Sequence, residues 1–177
     1  MSEFQSQYAD VNGVRLHYVS VGTGNLVMFV HGFPEFWAKW ENQLTDIGKD
    51  HQAVAPDMRG YKPADVESYH VKDLIEDLRA LAESLGHEKL SLVAHDWGGA
   101  VAWSFAMRYP DWLEKLIIIN SPHPAIFARE LLHNPAQQKA SQYMLMFRSP
   151  DAERILSENN YAGLISTVSQ FGSKWEM

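Results

Sequence analysis

Cysteine is absent from all 177 residues, so neither a disulfide framework nor a thiolate metal site is open to this chain, and a reducing compartment suits it. Long apolar runs are absent too: no stretch approaches the roughly 20 residues that span a bilayer. The opening Met1-Ser2-Glu3-Phe4 carries an acid and lacks the basic and apolar regions of a secretory signal, so a cytoplasmic location is the expectation. Positive charge is scarce, with 15 Lys and Arg against 22 Asp and Glu for a net charge of -7. The basic residues are scattered, form no stripe, and argue against nucleic acid as a partner. No internal repeat is visible. What is present, 46% hydrophobic and 21% charged residues, is the make-up of one globular domain with a full-sized core.

The chain opens with a hairpin. Tyr8 to Val21 alternates as a strand does, and Asn12-Gly13 marks a two-residue turn that favours positive φ. Leu26 to Val30 is a continuous apolar run, the mark of a strand covered on both faces. An aromatic-rich helix is expected from Glu35 to Ile47, a short strand from Gln52 to Ala55, and a helix from Val71 to Leu85 that Gly86 stops. A second apolar strand, Leu90 to Ala94, leads into a helix over residues 99–108, and Leu116 to Ile119 forms another buried strand. Strand, helix and strand in succession build a parallel sheet. From Ala125 the strand pattern ceases, and short helices are expected as a layer added over the sheet.

The stretch Ala94-His95-Asp96-Trp97-Gly98-Gly99 stands where an apolar strand meets a helix. Small-x-nucleophile-x-small is the form of a nucleophile elbow, because the turn is too tight for bulky neighbours and lifts the nucleophile to the top of the sheet. Taken alone, an Asp before a helix is an N-cap. Other motifs change that reading: His31-Gly32-Phe33-Pro34-Glu35, Asp57-Met58-Arg59-Gly60-Tyr61, Asn120-Ser121-Pro122-His123-Pro124, and Ser141 to Pro150.

On these five motifs, in this order, the chain resembles the α/β-hydrolase superfamily and within it the epoxide hydrolase branch. The first to third along the chain are similar to that family's oxyanion-hole loop, the turn after the next strand, and the elbow. The last two are similar to the segment leaving the sheet for the cap and to a cap helix that carries one of two epoxide-activating tyrosines. The resemblance implies an α/β-hydrolase fold, a mostly parallel sheet with flanking helices and a partial helical cap. Residues 1–120 would be the N-terminal part of the core and 121–177 the start of the cap.

The implied chemistry explains the residue types. A serine attacking an sp³ carbon would leave an ether, whereas a carboxylate leaves an ester that water can cleave. Asp96 is therefore the implied nucleophile and Tyr143 the donor to the departing epoxide oxygen. The backbone N–H groups of Phe33 and Trp97 are the implied oxyanion hole. Trp37, His123 and Phe127 are the implied pocket residues, with part of the cluster Phe33, Phe36, Trp37 and Trp40 left to plain packing. His31 and His95 read as structural histidines that hold loops, His123 as a hinge between prolines, and Arg59 as a tie for a loop. Neither metal nor other cofactor is called for, and the partners are a small apolar epoxide and water.

Two departures from the family pattern matter. The family's acid and histidine come after the cap, and no segment here matches them or the second cap tyrosine, so the chain reads as the N-terminal part of a longer protein. Relatives also carry more loop residues after the position of Tyr61, so Tyr61 and Lys62 are expected not to be true neighbours. The leading function is a hydrolase that opens epoxides to vicinal diols through an aspartyl ester. A haloalkane or haloacid dehalogenase using the same Asp96, and a catalytically incomplete binding module, are the alternatives. The sequence does not set the oligomeric state.

Overall fold

The computed structural model describes residues 4–61 and 68–169. The expectation about Tyr61 and Lys62 needs Lys62, which lies outside the described residues. The chain divides into two compact units, Met1–Pro124 and Ala125–Met177.

The first unit is a six-stranded sheet with β1 (Gln5–Val11), β2 (Val14–Val21), β3 (Leu26–Val30), β4 (Gln52–Pro56), β5 (Leu90–His95) and β6 (Leu113–Ile119) in the order β1-β2-β4-β3-β5-β6. The hairpin β1-β2 and the pair β2-β4 are antiparallel, while β3-β4, β3-β5 and β5-β6 are parallel. Asn12 (φ 46°) and Gly13 (φ 75°) make the turn, as the sequence predicts. Helix α1 spans Glu41–Ile47, α2 Val71–Ser84 and α3 Trp97–Arg108.

The continuous apolar runs are covered on both faces. Leu26, Met28 and Val30 of β3 pack with Leu74, Leu78 and Leu81 of α2 and Phe105 of α3, while Val27 and Phe29 turn to Trp40 and Leu44 on the other side. The period of two along the strand places both sets. Burying these side chains supplies the unit's main stabilisation, about 1.5–3 kcal/mol for each large one. The last strand differs: Ile117 and Ile119 of β6 are half exposed, and β6 pairs only with β5 among the described residues.

One helix expected from Glu35 to Ile47 is instead a 3₁₀ turn, Trp37–Trp40, followed by α1. The cause is a contact with a distant residue, because the N–H of Trp37 donates to the Asp57 carboxylate at 2.9 Å and the chain starts its turns only after that bond. Trp40 is a core residue, 2% exposed. The strand of Leu116 to Ile119 begins earlier, at Leu113, because an edge strand tolerates Glu114 and Lys115 facing water.

The second unit consists of helices: α4 (Pro124–His133), α5 (Pro135–Ala140), α6 (Gln142–Phe147) and α7 (Ala152–Ser169). Asn134 caps α5, its side chain accepting from the N–H groups of Ala136 and Gln137. Within α7 the backbone leaves helical geometry from Glu158 to Tyr161, so two helical pieces meet at a kink. Among the described residues no helix is long and apolar enough to cross a membrane.

Candidate active site

Asp96 alone makes the turn from β5 to α3. Its φ of 53° and ψ of -122° lie where non-glycine residues rarely go, a strain of order 1–3 kcal/mol held by the surroundings. Its N–H donates to the Ile119 carbonyl at 3.2 Å, and its own carbonyl accepts from the N–H groups of Gly99 and Ala100. The side chain makes no capping bond to α3 and is free to face elsewhere. The small neighbours are needed sterically. A Cβ on Gly98 would strike the carbonyl of His31, and one on Gly32 would sit 2.5 Å from Cβ and 2.6 Å from Oδ1 of Asp96.

That close approach brings the loop after β3 against the carboxylate, where the N–H of Phe33 donates to Asp96 Oδ1 at 3.0 Å. Phe33 N–H belongs to the same peptide unit as the Gly32 carbonyl, and three donors hold that carbonyl. They are the N–H of Glu35 at 3.1 Å, Nδ1 of His31 at 2.8 Å and the hydroxyl of Tyr61 at 3.3 Å. Donors on a carbonyl polarise its peptide and strengthen the N–H at the other end. His31 is fully buried, and its Nε2 accepts from the N–H of Met58, which leaves the proton on Nδ1. Burial pulls the His31 pKa down, so the ring is neutral. Burial, reinforced by the charges of Asp96 and Glu35, pushes the Tyr61 phenol up, so it stays a donor.

Glu35 fixes the loop's other side. Its Oε2 accepts from the N–H of Gly32 at 3.2 Å and from Nδ1 of His95 at 3.0 Å, and Lys39 reaches the other oxygen. Burial alone would raise this carboxyl, but bonds from His95 and Lys39 outweigh it and hold the pKa at about 2. His95 thus ties the elbow strand to the loop through the Glu35 side chain. Arg59 holds a loop, donating to the Ser68 carbonyl at 2.9 Å, and it also forms a buried two-point pair with Asp77 at 2.6 Å. Glu35, Tyr61 and Asp77 are contributors the sequence reading missed as such. Only the placement of Glu35 and Tyr61 inside recognisable motifs could have pointed to them.

Of the residues singled out from sequence, the structure joins Asp96 and Phe33 directly. Trp97 follows Asp96 at the first position of α3, where backbone N–H groups lack intrahelical acceptors; its side chain is 40% exposed. Trp37 lies half-buried against Phe4 and Phe36, and His123 packs edge-on to Trp103 at 5.0 Å. Tyr143 and Phe127 belong to the second unit: Tyr143 is on α6, its ring 5.5 Å from Phe147, and Phe127 is on α4. Among the described residues no group of three or more His, Asp or Glu side chains is placed to hold a metal ion.

The sequence profile of the alpha/beta hydrolase fold matches residues 25–152. Epoxide hydrolase 4 of Mus musculus is 41% identical over 160 residues, covering 86% of this chain and 45% of that protein. The AB hydrolase superfamily protein YfhM of Bacillus subtilis (strain 168) is 41% identical over 178 residues, covering 95% of this chain and 62% of that protein. Among solved structures, the epoxide hydrolase of Bacillus megaterium in complex with an inhibitor superposes with a TM-score of 0.87 at 45% identity, over 94% of this chain and 60% of that one. The chain therefore spans between 45% and 62% of the length of these two curated relatives.

Proposed function

The chain belongs to the α/β-hydrolase fold family, in its epoxide hydrolase branch, and from that premise we propose that it carries the nucleophile of an enzyme opening small apolar epoxides to vicinal diols. The observation that carries the reading is the Asp96 carboxylate at a strained strand-to-helix turn with the Phe33 N–H on one of its oxygens. Oδ2 attacks an epoxide carbon, the C–O bond of the ring breaks, and the departing oxygen takes a proton from a phenol. Oδ1 then becomes the ester carbonyl oxygen, already 3.0 Å from a polarised backbone donor. When water attacks that ester, the negative charge develops on the same oxygen, and the N–H groups of Phe33 and Trp97 receive it.

Tyr143 as the phenol, and Trp37, His123 and Phe127 as substrate-pocket residues, rest on the sequence resemblance of their segments. Activation of the water needs a base. His31 and His95 are committed to loop bonds, and the family resemblance places the base after the cap, so the reading assigns only the alkylation step to Asp96 and Tyr143. A halogenated alkane would use the same Asp96, with the indole of Trp97 as one halide donor. The test is intact mass after incubation with a small aliphatic epoxide beside the matching chloroalkane. The epoxide is expected to add its full mass to Asp96 in the native chain and nothing in Asp96→Asn. Adduct from the chloroalkane alone would transfer the reading to dehalogenation, and no adduct from either would end it.

A further inference from the structure

Away from Asp96, three side chains on β1, β2 and the end of β4 form a second relay. Ser6 Oγ donates to Nε2 of His17 at 2.9 Å, and Nδ1 of His17 donates to Oδ2 of Asp57 at 2.8 Å. His17 and Asp57 are each 4% exposed, whereas Ser6 faces solvent. The carboxylate fixes the tautomer: with its proton on Nδ1, the ring presents a bare Nε2 to the serine hydroxyl. Asp57 is itself held, since its Oδ1 accepts the N–H of Trp37 at 2.9 Å. A nucleophile, a base and a buried carboxylate that orients the base are therefore joined by hydrogen bonds.

The backbone adds a further part. The His17 carbonyl accepts from the N–H of Asp57, toward β4, so the facing pair Tyr8–His17 exchanges no backbone bonds between β1 and β2. Alternation along an antiparallel ladder gives Ser6, two residues earlier, the same orientation. Its N–H points to the sheet edge that no described strand covers, beside its own hydroxyl, where an oxyanion donor is required.

We propose that Ser6 is a second nucleophile of this chain, directed by His17 and Asp57 at small carbonyl or phosphoryl electrophiles such as activated carboxylic esters. The division of labour follows from chemistry, because a serine attacking an acyl carbon gives an ester that water can reopen, the reaction for which Asp96 is unsuited. With an alkyl fluorophosphonate as probe, the Ser6 oxygen forms a bond to phosphorus, the P–F bond breaks and fluoride leaves. The hydroxyl proton passes to Nε2 of His17.

The probe should be used on the full chain carrying Asp96→Asn, so that the elbow cannot contribute. One phosphonyl group is expected on the Ser6 peptide, at a rate about 100-fold above that of exposed serines such as Ser157 in the same sample. Ser6→Ala, a change at an exposed position, should abolish that adduct. Asp57→Asn, which keeps the shape of the side chain, should slow it by about 100-fold or more. Labelling of Ser6 at the rate of the other serines would overturn the proposal without reference to any variant. So would an unchanged rate in a folded Asp57→Asn chain.

Discussion

Two regions of the first unit hold an aspartate in opposite ways. At the hairpin side, Asp77 is 2% exposed, and its oxygens are taken by the Arg59 guanidinium and by Asn12. The bonds to Asp77 hold the Arg59 pKa above its ordinary value, and the pair is locked in one geometry. At the elbow, Asp96 is only half-buried and sits on a strained backbone, with a single backbone N–H on Oδ1 among the described residues. A carboxylate whose lone pairs are saturated cannot attack, and one held by a single peptide donor keeps an oxygen for a substrate. The first arrangement serves the fold, and under the proposed function the second spends some of the fold's stability on reactivity.

Exchanging roles between the two regions should therefore fail in graded ways. The largest effect is expected for Asp77→Ala, which strands the Arg59 guanidinium in the interior. It should lower stability by about 3–5 kcal/mol, read from the urea midpoint. Gly32→Ala comes next, since the new Cβ would lie 2.5 Å from Cβ of Asp96 and something must move. A loss of about 1–3 kcal/mol is expected, together with at least a tenfold slower alkylation by epoxide, measured by mass, because the Phe33 N–H shifts with the loop.

Glu35 gives a pH signature. Its carboxyl is held at about 2 against an ordinary 4.5, so as the pH falls the unfolded chain takes up the proton first. The stabilisation is fully present above about pH 4.5 and is lost progressively toward pH 2, on the order of 2 kcal/mol. Glu35→Gln should remove that slope from a plot of unfolding free energy against pH while leaving the rest of the acid limb. The smallest effect is expected at Asp96 itself. Asp96→Gly relieves the positive φ and should raise stability by up to about 1 kcal/mol; a loss of 2 kcal/mol or more would make Asp96 a structural residue like Asp77.

The regular elements were legible because their signals are local. The apolar runs of β3 and β5, the Asn12-Gly13 turn and the small residues around Asp96 each report a constraint met within a few residues. The support of the site was not legible, because it is built from contacts between distant positions. Trp37 breaks the expected helix through Asp57, 20 residues on, and His95 reaches Glu35 60 residues back. Tyr61 joins the Gly32 carbonyl across 29 residues. No periodicity announces such pairs, and they form only once β3, β4 and β5 lie side by side.

Asp96 is, under the proposed function, a nucleophile held ready by the Gly32–Phe33 peptide. The most direct measurement is peptide mapping of the chain after exposure to an aliphatic epoxide. One adduct is expected, on Asp96, with none on Asp57 or Asp77 and none anywhere after Asp96→Asn. An adduct spread over the exposed carboxylates, or one that persists on this peptide in Asp96→Asn, would contradict it.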